Sequence, residues 1–247
     1  MSKPDLKAII LAAGKGTRLQ TDGSDLPKVM RLAAGKPLLE HVLTALDFVK
    51  PENCIIVVGY KKESVMKRFT QYRFAEQKEQ LGTGHAVMTA FDALADFNGS
   101  LLVCCGDMPL IKQETYMALV RAHYSSGNVC TILSGTSSID LPYGRILRDS
   151  SSGNFCGIVE ERDATDEQKS ISELNSGVYV FDAQALNNVL SELSNDNAQG
   201  EYYLTDAPLL LLKHGHRVGV CLRELGHELL GVNTPDQLRL AEELLQV

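Results

Sequence analysis

Apolar and polar positions along the chain follow two alternating periods. KAIILA (7–12), CIIVVGY (54–60) and SLLVCCGD (100–107) are short, almost unbroken apolar runs, as expected of strands buried on both faces. Between the first two, PLLEHVLTALDFV (37–49) puts Leu38, Val42, Ala45, Leu46 and Val49 near one helical face, with Pro37 suited to a first turn. Helices around 61–69, 83–95 and 112–124 and a short strand around 72–75 continue the alternation. Strands separated by helical stretches need crossovers, which predicts a mainly parallel sheet. After residue 124 strand-like runs come faster: VCTILS (129–134), YGRILRD (143–149), FCGIVE (155–160) and ELNSGVYVFD (173–182), with a Ser/Gly turn at 150–153. Such close spacing predicts an antiparallel addition. Helices at 183–193 and 203–213, a strand at 217–222 and an amphipathic helix from 235 complete the pattern. No internal repeat or low-complexity linker divides it, so 1–247 reads as a single mixed α/β domain with two lobes.

Composition narrows the class. The chain has 247 residues, 44% hydrophobic and 22% charged, which excludes disordered and collagen-like proteins and disulfide miniproteins. A net charge of −7 offers no long-range attraction to DNA or RNA, so no nucleic-acid partner is expected, although a local basic pocket could hold a small phosphate ester. No apolar run approaches the roughly 18 residues that span a bilayer, and MSKPDLK lacks the apolar core of a signal peptide. The expectation is a cytoplasmic protein with no membrane partner. Cys54, Cys104, Cys105, Cys130, Cys156 and Cys221 are scattered without a CxxC pair and read as buried thiols rather than zinc or redox groups.

Three segments carry candidate chemistry. LAAGKGTRL (11–19) follows the first strand, so its glycines lie at the carboxyl edge of the sheet, where open α/β proteins bind ligands. Gly14 and Gly16 permit close backbone approach to phosphate oxygens, and Lys15 and Arg18 add positive charge. The alternative is a Gly-rich turn with solvated basic residues; neither GxGxxG nor GxxxxGK[ST] is present. LPKV (26–29) could return Lys28 to the same edge, or leave it as a surface charge. In CCGDMPLI (104–111), Asp107 ends an apolar strand, a position equally suited to a hard divalent cation and to capping a turn.

LAAGKGTRL, LPKV, QKEQLGTGHAV (77–87), CGDMPLI (105–111), YGRILRD, GIVEERDAT (157–165), ELNSGVYVF (173–181), AQGEYYLTD (198–206) and GVNTPDQL (231–238) cover nearly the whole chain. Their order and spacing resemble the uridylyltransferase domain of bacterial N-acetylglucosamine-1-phosphate uridylyltransferases. The first two segments are general to sugar nucleotidyltransferases; QLGTGHA, GIVEERDAT and AQGEYYLTD point to this family.

The resemblance implies a Rossmann-like nucleotidyltransferase fold. It would have a mixed, mainly parallel sheet flanked by helices and an antiparallel sugar-binding lobe. Residues 1–110 would form a nucleotide-binding half, 111–233 a sugar-binding half and 234–247 a terminal helix. UTP and N-acetylglucosamine 1-phosphate would react with Mg²⁺ to give UDP-N-acetylglucosamine and pyrophosphate. Another sugar-1-phosphate nucleotidyltransferase, such as a UDP-glucose pyrophosphorylase, and an inactive nucleotide-sugar-binding protein are the alternatives.

Carried over motif by motif, Leu11, Ala12, Ala13 and Gly14 would edge the nucleotide, and Arg18 and Lys28 would be the catalytic cations on the triphosphate. Gln77 would read uracil, with Gly82 and Thr83 around the nucleotide and Cys105 and Gly106 beside it. Asp107 and Asn233 would hold Mg²⁺ and substrate, each expected to follow an apolar strand. Gly144, Glu160 and Asn175 would line the sugar pocket, and Tyr202 and Thr205 would close over sugar and phosphate. His85 reads as a structural hydrogen-bonding residue.

Three departures from the family stand out. The segment QTDGSD (20–25) lengthens the loop before LPK and adds Asp22 and Asp25, and Cys105 replaces a frequent tyrosine. The bifunctional relatives also continue into a hexapeptide-repeat acetyltransferase domain that builds their trimer, so a monomer or weak oligomer is expected.

Overall fold

The computed structural model describes residues 5–22, 25–94 and 97–246, with the backbone alone at 20–22. Its first half alternates β1 (Leu6–Ala12), α1 (Leu38–Ala45), β4 (Cys54–Val58), α2 (Lys62–Arg68), β5 (Arg73–Glu76), α3 (Thr83–Phe91) and β6 (Ser100–Cys105), as the apolar periods predict. A two-residue ribbon, β2 (Leu32–Ala33) and β3 (Lys36–Pro37), precedes α1 and is too short to leave a periodic signal. The second half contains α4 (Gln113–Ser126), β7 (Cys130–Thr136), β8 (Arg145–Arg148), β9 (Phe155–Val159), α5 (Asp166–Lys169), β10 (Leu174–Asp182), α6 (Ala183–Leu190), α7 (Ala207–Lys213), β11 (Val218–Glu224) and α8 (Pro235–Leu245).

The main sheet runs in the order β11-β7-β10-β6-β1-β4-β5. β1 lies parallel to β4 and β6, β4 to β5, and β11 to β7, whereas β10 runs antiparallel to both β6 and β7. The expected antiparallel addition is β10 between β6 and β7 together with the β8–β9 pair, which joins β10 where Leu174 faces Arg145. Successive β1 residues point to opposite faces. Ala8, Ile10 and Ala12 join a core completed by Leu38 of α1, Leu119 of α4 and Ala241 of α8. Ile9 joins the other core, with Val87 of α3, Leu186 of α6 and Leu211 of α7. Helices therefore cover both faces, which explains the unbroken apolar strands.

Apolar periodicity overcounts three helices. α1, α3 and α6 stop at Ala45, Phe91 and Leu190, yet Val49, Leu94 and Leu193 beyond them remain buried. The chain tightens into turns there, Val49 N donating to Leu46 O and Leu94 N to Phe91 O, so burial continues after helix ends; residue 95 lies outside the described residues. The stretch 203–213 divides into a 3-10 turn, Leu204–Asp206, and α7. Pro37 sits at the N-cap of α1 rather than in its first turn. Cys156 corrects the reading of buried thiols: on β9 it alternates outward between buried Phe155 and Gly157 and is exposed. Among the described residues no helix is long and apolar enough to cross a membrane.

His123, buried on α4, lies 3.1 Å from Thr131 Oγ1 on β7 through its Nδ1. Burial lowers its pKa, against a smaller upward pull from Asp182. The unfolded chain therefore takes up this proton at a higher pH than the folded one, and stability is lost as pH falls from the ordinary imidazole value toward the lowered one. Melting curves from pH 7.5 to 5.5 should show a smaller drop in Tm for His123→Gln than for the wild type.

Candidate functional site

Three strand ends converge at one edge of the sheet. β1 ends at Ala12 and runs into the Gly-rich loop, where Leu19 N donates to Gly16 O to open a 3-10 turn, Thr17–Asp22. Gly16 has φ +66°, and a Cβ placed on it would stand 2.5 Å from Lys28 Cβ, so the loop packs directly on the lysine stem. Beyond β6, Gly106 N donates to Leu11 O (2.9 Å), continuing the pairing with β1 and delivering Asp107 past the edge. β10 runs the other way, so its beginning, Asn175 to Gly177, reaches the same edge.

Two adjoining cavities open there. One, of about 310 Å³, is lined by Leu11, Ala12, Ala13, Gly14, Lys28, Gln77, Gln80, Gly82, Thr83 and Glu201. The other, of about 190 Å³, is lined by Tyr143, Gly144, Glu160, Asn175, Ser176, Gly177, Thr205 and Asn233. Leu11, Thr83, Cys105 and Asp107 belong to both and form the wall between them.

Lys28 Nζ pairs with Asp107 Oδ2 and donates to Asn233 Oδ1 at 3.0 Å, both interactions partly buried. Arg18 Nη2 reaches the same Asn233 oxygen at 3.4 Å. An anionic and a neutral oxygen thus meet on a single ammonium, a hard-oxygen pair of the kind that suits Mg²⁺ when phosphates and water fill its other positions. Among the described residues no group of three or more His, Cys, Asp or Glu side chains could hold a metal ion.

Asn233 does not follow a strand as expected. It lies after the 3-10 turn Gly226–Leu229, on a segment fastened by Val232 N donating to Asp107 O (2.9 Å) and Gly231 N to the Tyr143 hydroxyl (2.8 Å). Thr234 then caps α8 through a capping box with Gln237, which ties the asparagine to a helix start.

In the smaller cavity, Thr205 donates to Glu160 Oε1 at 2.9 Å. Burial raises the Glu160 pKa, opposed by that hydrogen bond and assisted by Asp206, Asp163 and Glu201. Asn175 N donates to Gly144 O (2.8 Å), while its side-chain amide donates to the Tyr179 hydroxyl (2.7 Å). The register of β10 against β7 shifts between Asn175 and Val178, and this bulge turns Ser176 and Gly177 into the cavity wall. Burial, with Asp107 nearby, pushes the Cys105 thiol up to about 12, so it presents a neutral side chain to both cavities.

Not every expected residue lines a cavity. Gly106 acts through its backbone bond to Leu11, and Arg18 lines neither cavity but reaches the site through Asn233. Tyr202 pairs its backbone with the QLGTG segment, its N donating to Leu81 O and its O accepting from Gly84 N, while its ring packs on the α3–α6 core; the neighbouring Glu201 faces the larger cavity. Asp25 pairs with Lys61 and accepts from the Tyr60 hydroxyl at 3.2 Å, fastening the lengthened loop to the turn after β4. The side chain of Asp22 lies outside the described residues. Sequence reasoning missed Gln80, Glu201, Tyr143 and the Ser176–Gly177 bulge; a glycine inside the apolar run of 173–182 was the available sign of the bulge.

The fold is shared with two solved structures. A putative glucose-1-phosphate thymidylyltransferase from Bacillus anthracis superposes with a TM-score of 0.72 at 20% identity, covering 97% of this chain and 95% of that one. An inositol-1-phosphate CTP transferase from T. maritima gives 0.71 at 19% identity, covering 96% and 93%. In sequence, the chain is 45% identical over 240 residues to the Bifunctional protein GlmU of Streptococcus suis, and 44% identical over 243 residues to that of Caldanaerobacter subterraneus. These matches cover 97% and 98% of this chain but 51% and 52% of those proteins, so the chain spans about half the length of the curated relatives it matches. Residues 8–162 match the MobA-like NTP transferase domain, and the chain belongs to that family.

Proposed function

We propose that the chain is a uridylyltransferase that converts UTP and N-acetylglucosamine 1-phosphate into UDP-N-acetylglucosamine and pyrophosphate. The observation that carries this reading is the pair of cavities meeting at Asp107, with Lys28 Nζ bridging that carboxylate and Asn233 Oδ1. The larger would take the nucleotide and the smaller the sugar phosphate, which places the reacting phosphates at the shared wall.

A phosphate oxygen of the sugar phosphate, ionised at neutral pH, attacks the α-phosphorus of UTP. The new P–O bond forms as the bond to the β-phosphate breaks and pyrophosphate leaves. No protein base is required, so the protein's task is positioning and charge stabilisation. Lys28 and Arg18 offset charge on the triphosphate and the departing pyrophosphate. Glu160 accepts from sugar hydroxyls, with its second oxygen held by Thr205. Asp107 and Asn233 would hold Mg²⁺, which supplies charge neutralisation between the two phosphate groups when bound.

Pyrophosphate release from UTP, N-acetylglucosamine 1-phosphate and Mg²⁺ tests the reaction. A marked preference for another sugar phosphate would move the assignment within the sugar nucleotidyltransferases. Binding of nucleotide without release in any pairing would indicate a binding protein. Asp107→Asn should lower turnover most at limiting Mg²⁺ with little change in melting.

Lys28→Ala should reduce turnover by roughly 10²–10³-fold, the typical effect of deleting a transition-state charge donor. Gly16→Ala should produce a loss in the same direction while leaving every charge in place, because its Cβ would displace the Lys28 stem. Steady-state kinetics alongside melting curves would separate both effects from unfolding.

Glu160→Gln should raise KM for the sugar phosphate by about 10–100-fold, as expected for losing a hydrogen bond to a charged group. It should also raise Tm at pH 7.5, because the folded state holds this carboxylate less readily than water does. Its raised pKa makes the wild-type penalty present at neutral pH and absent once the carboxyl is protonated in both states, so the two melting temperatures should converge near pH 4.

A further inference from the structure

Gln77 lies just beyond β5, where its backbone N donates to Val58 O (2.8 Å), and its residue is only 3% exposed. It lines the larger cavity. Its amide Nε2 donates to Gly82 O at 3.0 Å and lies 3.1 Å from His85 Nδ1 on α3. A primary amide has two N–H donors and one carbonyl acceptor. The first hydrogen is taken by Gly82 O, which can only accept, so the backbone sets which end of the amide points that way. The second is directed at His85 Nδ1, which accepts it when the ring proton is on Nε2. Oε1 has no protein partner among the described residues.

We propose that Gly82 and His85 form an acceptor clamp that commits both Gln77 hydrogens and leaves Oε1 to face the nucleobase. The cavity then prefers a base with an N–H donor at that edge, as uracil has at N3, over cytosine, whose N3 is an acceptor. His85 is a positioning residue in this scheme. It does not line the larger cavity, and its outer edge opens on a separate polar cavity with Glu76, Lys78, Glu79 and Thr89. Without the His85 acceptor, a buried amide hydrogen loses its partner and the amide can tilt that hydrogen toward the base, where cytosine N3 satisfies it. The inference rests on the proposed function only for the ligand of the larger cavity, a nucleoside triphosphate.

The test is calorimetric titration of UTP and CTP, each with Mg²⁺, into the wild type, His85→Leu and His85→Gln, with melting curves for each. Binding needs no turnover, which separates this clamp from the transfer reaction. The wild type should prefer UTP by at least about tenfold, since a site built around one hydrogen-bond polarity rejects the opposite one. His85→Leu should lose most of that preference through weaker UTP binding, and His85→Gln, whose carbonyl restores an acceptor, should keep it. His85→Ala serves the same purpose if leucine disturbs α3. A folded Leu or Ala variant with the wild-type UTP-to-CTP ratio overturns the proposal, as does a wild type that binds the two alike. Selective UTP binding that is lost in the Leu variant, but without pyrophosphate release in any protein, supports the clamp and counts against the transfer reaction.

Discussion

The parallel pairing of β1 with β6 is the constraint on which the site depends. Its register places Leu11 opposite Cys105, and one further hydrogen bond, from Gly106 N to Leu11 O, carries the pairing past the last strand residue. Asp107 then leaves the sheet at a fixed height above the Gly-rich loop. Its own carbonyl receives Val232 N, which docks a segment from the far end of the chain and sets Asn233 beside it. A polar centre built from three distant parts of the sequence is thus assembled by backbone bonds. The side chains inherit positions they do not have to stabilise themselves. The Lys28–Asp107 pair is only partly buried, and such a pair would be a weak fastener on its own.

Much of this was legible in the sequence because apolar strands and Gly-rich turns leave local signals. KAIILA followed by LAAGKG predicts a strand running into a loop at the ligand-binding edge, and CCGD predicts a carboxylate at the next strand end. Asn233 was legible only by resemblance. The segment that carries it is neither strand nor helix, and its placement comes from bonds to Asp107 and Tyr143 that no local pattern announces. The same holds for Glu201 and Tyr202. Neighbours in an extended stretch point in different directions, and pairing with Leu81 and Gly84 decides which of them faces the cavity.

Helix ends were misjudged for a related reason. Periodicity reports burial, and burial persists through turns such as the one ending at Val49. The partners of β10 were likewise hidden. The close spacing of the runs after residue 124 predicts antiparallel pairing but not which strands are paired, and insertion between β6 and β7 brings Asn175, rather than Asp182, to the site. Asp182 instead accepts from Ala185 N and caps α6 at the opposite edge.

That reversed strand also bears on how the chain can be made. β10 is the strand that joins β6 to β7, and it is encoded after both. As the chain emerges in order during synthesis, the N-terminal block β5-β4-β1-β6 can form first, but β6 keeps an unpaired apolar edge until residues 174–182 arrive. An open edge of that kind is a template for pairing with another chain. Reversal also lets the start of β10 pair with β8, Leu174 opposite Arg145, while its end runs directly into α6. The strand that fills the gap between β6 and β7 is therefore also the one that ends the exposure of the β6 edge to mispairing.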